Sequence, residues 1–341
     1  MSLLSIGMSG LNAAQGSLSV LSNNIANVNT PGYSRQQTTQ NANANNPYGG
    51  VFIGSGTTLA DVRRVYNEFL DQAYQNSTSL NNDAKAYSSQ ASAIDKTLSD
   101  KTTGMSSVLS AFFAAVQTSS ANPSDVSARQ VLLTSAQTLS NRFNSISNQL
   151  NQQKESINGQ LSTMSDQVNQ LTASIASLNK QITQVQGSSN SAPANLLDAR
   201  NEAVRSLNEL VGVTASEKNG VFSVSTGTGQ SLVLGDQSNT ISAVPSASDP
   251  SQYTIQLNAG GGTAIDLGNV LSGGSIGGLL RYRSDALMPA INDLGRIAIA
   301  TADTVNSQLG QGLDLNGDFG TSLFKDINSA AAIAQRSQGA A

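Results

Sequence analysis

The stretch FNSISNQLNQQKESINGQLSTMSDQVNQLTASIASLNKQITQV, residues 143–185, decides the architecture of this chain. Phe143, Ile146, Leu150, Lys154, Ile157, Leu161, Met164, Val168, Leu171, Ile175, Leu178, Ile182 and Val185 recur at spacings of three and four. That period lines one face of an α-helix with apolar side chains. The single irregularity is a repeated four through Ile146, Leu150 and Lys154, a stutter-like slip that puts Lys154 on the seam. Upstream, Asn122-Pro123 supplies a capping residue and a proline suited to a first helical turn. Downstream, Gly187–Pro193 stops the pattern. A helix over about 124–186 spans roughly 90 Å at 1.5 Å per residue, longer than a compact globule of this size needs.

Working outward, the segment 194–211 reads as a further helix, and Val108, Leu109, Phe112, Phe113 and Val116 as a short one. Residues 66–98 predict a helix whose seam is Ala73, Leu80, Ala84, Tyr87, Ala91, Ile94 and Leu98. Helical period returns over 276–309. Between them, Val221–Val224, Leu232–Leu234 and the alternating Tyr253, Ile255 and Leu257 read as strands. A Gly-rich turn at Ala259–Thr263 then leads to a return strand with Ile265 and Leu267. Residues 34–65 lack helical period and read as an extended hairpin. The fold class is therefore mainly α with a β-rich subdomain: a long helical bundle or coiled-coil rod plus a small antiparallel β unit. The expected divisions are 1–65, an N-terminal helix with a hairpin linker, and 66–212, the long-helix bundle. They continue with 213–275, the β-rich part, 276–312, a helix returning to the bundle, and 313–341, the start of a further segment.

The N-terminus carries a second seam. Leu4, Gly7, Leu11, Ala14, Leu18, Leu21, Ile25 and Val28 alternate at three and four, and the first charged side chain of the chain is Arg35. Coiled coils in water usually flank the seam with Glu and Lys; here the flanks are Ser, Asn, Gln and Gly. Two readings stay open. The helix is a buried core element, or it packs against other helices in an assembly, where Gly7, Gly10 and Gly16 allow close approach. Asn-Thr-Pro-Gly at 29–32 ends it: Pro31 cannot continue a helix and Gly32 can take positive φ.

Composition removes whole classes of function. The 341 residues contain no Cys, no His and no Trp. Disulfides, thiolate nucleophiles, imidazole bases, Ser-His-Asp triads and His-containing zinc sites are all out of reach. Only 12% of residues are charged and the net charge is −4, which argues against a phosphate-binding face for nucleic acid and against a polybasic membrane surface. No run reaches the ~18 consecutive apolar residues of a membrane helix. Neither is the N-terminus a cleavable signal peptide, since it lacks a basic start and an unbroken apolar core.

The remaining motifs carry little chemistry. Ser177–Lys180 and Ser322–Lys325 match S-x-x-K, but the Ser-Asp-Asn and Lys-Thr-Gly elements of a serine acyl-enzyme do not occur. Residues 273–278 are Gly-rich without a phosphate-loop lysine, and read as a hinge or tight turn. Asp314–Asp318 resembles part of a calcium loop, yet Gly317 falls fourth where sixth is required and the twelfth residue is Lys325. No catalytic, cofactor or metal residue is assigned, and the chain is not expected to be an enzyme.

The block Ser22–Tyr33, with Met8–Gln15 before it, looks like the N-terminal signature of bacterial flagellar rod, hook and hook-associated proteins. Rod and hook proteins usually follow the aromatic residue with Lys; here Ser34-Arg35-Gln36 resembles the hook-associated protein 1 family. Residues 195–201 and 312–317 are similar to that family's internal blocks. The resemblance implies export without a cleaved signal through the flagellar type III apparatus, a place in the flagellum, and self-association in a ring. It also implies hook protein, a second junction protein and an export chaperone as partners, with no nucleic acid and no membrane insertion. Leu4, Leu11, Ala14, Leu18, Leu21, Ile25 and Val28 would then be the assembly interface. Asn23, Asn24, Asn27, Thr30, Pro31, Gly32 and Tyr33 would be the family signature, the asparagines bonding neighbouring helices or capping the helix end, and Tyr33 packing at the elbow. Family members end in a return helix; no heptad helix follows residue 310, so a fragment or a short homologue is expected. The rivals are a hook or rod subunit, or a secreted adhesin or effector whose β unit binds a ligand.

Overall fold

The computed structural model describes residues 3–44, 46–48, 51–98, 104–188, 193–259, 262–268, 270–314 and 316–326. They fall into two compact units, Met1–Lys85 with Leu161–Gly278, and Ala86–Gln160 with Leu279–Ala341. The closing segment beyond residue 326 lies outside the described residues.

In the first unit, helix α1 (Leu3–Ala26) is followed by an antiparallel pair, β1 (Gln36–Ala42) with β4 (Thr57–Arg64). The short strands β2 (Asn46–Tyr48) and β3 (Val51–Ile53) form a second pair between them. Helix α2 (Glu68–Leu98) follows. The long helix α4 is Val126–Ser188, 63 residues, roughly 95 Å at 1.5 Å per residue, of which the part from Leu161 on belongs to this unit; α3 (Met105–Ala121), which precedes it, belongs to the second unit. Then comes α5 (Ala194–Leu210). Two small antiparallel sheets complete the unit. One runs in the order β5 (Val213–Lys218), β6 (Val221–Thr226), β7 (Ser231–Leu234), β8 (Gln237–Ser238). The other places β10 (Tyr253–Asn258) between β9 (Thr240–Pro245) and β11 (Ile265–Asp266).

The long-helix seam is largely the core. Ile146, Leu150, Ile157, Leu161, Val168, Ile175 and Ile182 are buried, whereas Val185 at its end is exposed. A second buried line runs beside it, made of the polar residues Asn158, Ser165, Thr172 and Asn179 at a spacing of seven. Polar side chains are tolerated there because they bond. Asn179 donates through Nδ2 to the Gly235 carbonyl at 2.7 Å. Nearby, half-buried Asn169 grips the backbone of Ile241 at two points, each 2.8 Å.

The seam expected for α2 is corrected over its first half. Leu80 is 69% exposed and Ala73 and Ala84 are also exposed, while Asp71, Gln75 and Ser79 are buried. The helix has the right period but turns its polar side inward, where Asp71 finds partners. The second half is as read, with Tyr87, Ala91, Ile94 and Leu98 partly buried.

In the second unit, Phe112, Ala136 and Leu139 centre a core packed by side chains such as Val108, Leu132, Phe143, Val305 and Phe324. Gln153 Nε2 donates to the Gln90 carbonyl at 3.2 Å. The helix expected over 276–309 is not one regular helix. It comprises α6 (Gly274–Tyr282), a π turn at Arg283–Leu287 and α7 (Met288–Gly310). Pro289 has no N–H to donate to the carbonyl four residues back, so the wider turn precedes it. Tyr282, fully buried, meets Tyr87 edge-on at 5.9 Å.

Candidate assembly surface and elbow

Helix α1 has two unlike faces. The inner one lies on β1 and β4 and is mostly small and polar, with Ile6 and Val20 half-buried beside it. Ala13 is 3% exposed. Ser9 Oγ accepts from the Thr57 N–H at 3.2 Å, Ser17 and Thr38 hydroxyls are 3.1 Å apart, and Gln40 donates to Ser17 Oγ at 3.1 Å. Gly16 leaves room for Leu59, whose methyl would sit 3.1 Å from a Cβ at that position. Gly7 and Gly10, by contrast, are crowded by nothing.

The outer face is the sequence-predicted seam. Leu4, Leu11, Leu18, Leu21, Ile25 and Val28 are between 52% and 77% exposed, and Ala14 is exposed with them. Leu3 and Met8 extend the stripe. Within the described residues, then, this stripe is not part of a core. Burying one such leucine fully contributes about 1.5–3 kcal/mol. Toward its own chain the helix uses Ser, Ala and Gly with the half-buried Ile6 and Val20, and it leaves Leu4, Leu11, Leu18, Leu21 and Ile25 outside.

The signature residues Asn23 to Tyr33 are brought together as an elbow. Thr30-Pro31-Gly32-Tyr33 is a tight turn in which the Tyr33 N–H bonds the Thr30 carbonyl at 3.2 Å. Gly32 has φ +78°, as the third residue of such a turn requires, and a Cβ there would come within 2.9 Å of the Glu202 side chain. Asn24 is the centre. Its Nδ2 donates to the Gln36 carbonyl and its Oδ1 accepts from the Gln36 N–H, both at 2.8 Å. The Tyr33 hydroxyl also donates to Asn24 Oδ1 at 2.8 Å and accepts from Asn23 Nδ2 at 3.2 Å. Asn27 bonds back to the Asn23 carbonyl at 3.0 Å, and Thr30 Oγ1 donates to Asn27 Oδ1 at 3.2 Å. These asparagines thus close the helix end onto the hairpin within one chain.

Behind the elbow sits a charge network that sequence reading missed. Asp198 of α5 accepts from the Ser34 N–H at 3.1 Å and from Arg64 Nη1 at 2.8 Å. Asp71 accepts from the Tyr66 hydroxyl at 2.9 Å, from Gln75 Nε2 at 2.8 Å and from Arg205 Nε at 2.9 Å. Burial and the bond to Asp71 push the Tyr66 hydroxyl up to about 12. Burial works to lower Arg205, but the Asp71 hydrogen bond and charge outweigh it and hold the guanidinium above its ordinary value. Arg200 stacks on Phe222 at 3.7 Å and pairs with Glu217 at 3.3 Å; desolvation nonetheless leaves it below its ordinary value. Beside the elbow an open groove of about 660 Å³ is lined by Pro31–Arg35, Val65, Leu70, Tyr74, Glu202, Arg205 and Glu209 among others. Of this network only Asp198 and Arg200 lie in the internal block at 195–201; their partners Arg64 and Glu217 lie outside it.

The other sequence motifs show no chemistry of their own. Ser177, Lys180, Ser322 and Lys325 are exposed. Asp314 accepts from the N–H groups of Asp318 at 2.9 Å and Asn316 at 2.7 Å, bonds that hold its carboxyl below its ordinary value in a polar turn. Among the described residues no cluster of three or more His, Cys, Asp or Glu could hold a metal ion, and no helix is long and apolar enough to cross a membrane.

Fold and elbow define a long-helix scaffold that carries small antiparallel β units and an N-terminal helix–hairpin module. Its lineage follows from comparison. Residues 91–324 match the model of the flagellar hook-associated protein FlgK helical domain, and residues 4–33 match that of the flagella basal body rod protein. The chain belongs to the flagellar hook-associated protein FlgK family. It is 37% identical over 327 residues to flagellar hook-associated protein 1 of Escherichia coli (strain K12), covering 95% of this chain and 60% of the relative. The Bacillus subtilis protein of the same name is 28% identical over 350 residues, covering 92% of this chain and 68% of the relative. Among solved structures, the flagellar hook junction protein FlgK from Burkholderia pseudomallei is similar at TM-score 0.67 and 35% identity. That likeness covers 74% of this chain and 46% of that one. The chain spans about 60% of the length of the Escherichia coli relative.

Proposed function

We propose that this chain is a structural subunit of the bacterial flagellum at the hook–filament junction, and that copies associate through the outer face of α1. The observation that carries the reading is the uncharged stripe from Leu4 to Ile25, continued by Val28 in the turn beyond, exposed on a helix whose other face is already docked on its own hairpin. A stripe of that length in water marks an association surface. Side by side in a ring, α1 helices would bury it without placing any charge in the contact. Hook protein on one side, a second junction protein on the other and an export chaperone before assembly are the partners this role requires. The role is architectural rather than catalytic. The elbow asparagines serve it by holding α1 to the hairpin, so that the stripe faces outward.

The test is location. A tagged copy is expressed in cells that make hooks but lack their own hook-associated protein 1, and isolated hook–basal bodies are immunolabelled. Label confined to the distal end of the hook is expected. Label spread along rod or hook, or none on these particles, would refute the junction role.

A further inference from the structure

We propose that Asp198 is a latch that sets the direction of the N-terminal helix–hairpin module. Two ion pairs of reversed polarity, Arg64–Asp198 and Arg205–Asp71, fix the register of the hairpin–α2 junction on α5.

Asp198 holds both legs of the hairpin at its base. Gln36 is paired with Arg64 across the strands, and the Val65 N–H bonds the Arg35 carbonyl at 2.8 Å. Immediately beside these residues, one Asp198 oxygen takes the Ser34 N–H and the other takes Arg64. The Asp198 side chain is 8% exposed and that of Arg64 13%. Asn24 ties α1 to Gln36 of the hairpin, and Asp198 ties the hairpin to α5. The orientation of α1 is therefore passed through Asp198.

The second pair makes the arrangement directional. Arg205 lies seven residues, about two turns, beyond Asp198 on α5, and Asp71 lies seven residues beyond Arg64. The order of charge is plus then minus on one segment, and minus then plus on the other. Reversing the direction of the junction would set Arg64 against Arg205 and Asp198 against Asp71. A buried ion pair adds little net stability but penalises every arrangement that breaks it, because a buried charge is left uncompensated. Specifying one geometry is thus what these pairs do best.

The functional weight of this latch rests on the junction reading above, but the latch itself is read in the isolated chain, so the two can fail separately. Hydrogen exchange is measured on the full chain carrying Asp198→Asn, Arg64→Met, or both. Either single change should speed exchange at residues 34–42 and 57–65 at least ~10-fold through local opening, with the amides of 168–182 unchanged. The double variant should exchange no faster than the stronger single one, because both remove the same contact. Unaltered exchange at 34–42 would overturn the latch. Multiplied effects in the double variant would overturn the coupling on which it depends. Faster exchange throughout 168–182 would make Asp198 a residue of the general core and overturn it as well.

Discussion

Replacing Asn24 with alanine removes three hydrogen bonds in one step: donor to the Gln36 carbonyl, acceptor from the Gln36 N–H, and acceptor from the Tyr33 hydroxyl. Each is worth roughly 0.5–1.5 kcal/mol net. Alanine returns about 0.5 kcal/mol through its helix propensity. Asn24 is half-buried, so water can take over part of what Gln36 loses. The balance is a loss of about 1–3 kcal/mol, confined to the contact between α1 and β1. Asn24→Asp distinguishes the bonds further. It keeps the acceptor but turns a carboxylate toward the Gln36 carbonyl, and it adds negative charge in the last turn of α1, where the helix dipole disfavours it. The aspartate variant should therefore be at least as damaging as alanine, despite being nearly isosteric. Hydrogen exchange on peptides covering 24–40, with residues 168–182 as internal reference, reads both. Wild-type protection in the aspartate variant would refute the two-point grip of Asn24 on Gln36.

Ile175→Ala empties a fully buried position on α4 and should lower stability by about 2–5 kcal/mol in denaturant unfolding. Leu80→Ser should change it by no more than about 0.5 kcal/mol, because Leu80 is 69% exposed on the outward side of α2. Tyr66 gives a pH dependence of definite sign. Its hydroxyl rises from the ordinary 10.0 to about 12 in the folded chain, so the native state holds that proton more tightly than the unfolded one. The stability it contributes is whole below pH 10 and lost as pH climbs from there through about 12; Tyr66→Phe should flatten alkaline unfolding in that window.

What could be read from sequence divides along a physical line. The α4 seam was legible because a spacing of three and four repeats over many turns, and only an amphipathic helix uses it. The seam of α1 was legible as a stripe but not as a direction, since a stripe free in water and a stripe in a core have the same period. In α2 the period misled. Leu80, Ala73 and Ala84 lie on one side, yet burial went to Asp71, Gln75 and Ser79 because Arg205 lies 134 residues away from Asp71 and waits there with a charge. No local pattern contains that partner. The elbow showed its turn through Pro31 and Gly32 but not its attachment, for the same reason: Asp198 is 164 residues from Ser34. Strand β5 was missed although its signal is local. Asn219-Gly220 between Lys218 and Val221 is a two-residue hairpin turn, and Asn219 takes φ 53° there. Strand β9 had no such marker; its register on the long helix depends on the Asn169 grip at Ile241.

The outer face of α1 as the assembly surface is tested most directly by placing a carboxylate on it. The measurement is the amount of Leu18→Asp, Leu21→Asp double variant retained on isolated hook ends, relative to wild type at equal export. Both leucines are more than half exposed, so the monomer should melt as wild type does, to within about 0.5 kcal/mol per site. In a ring each copy would bury two carboxylates among apolar side chains, a cost of several kcal/mol per subunit. Loss of the variant from hook ends with an unchanged melting transition is the predicted result. Retention at the wild-type level would contradict the assignment of this stripe to assembly.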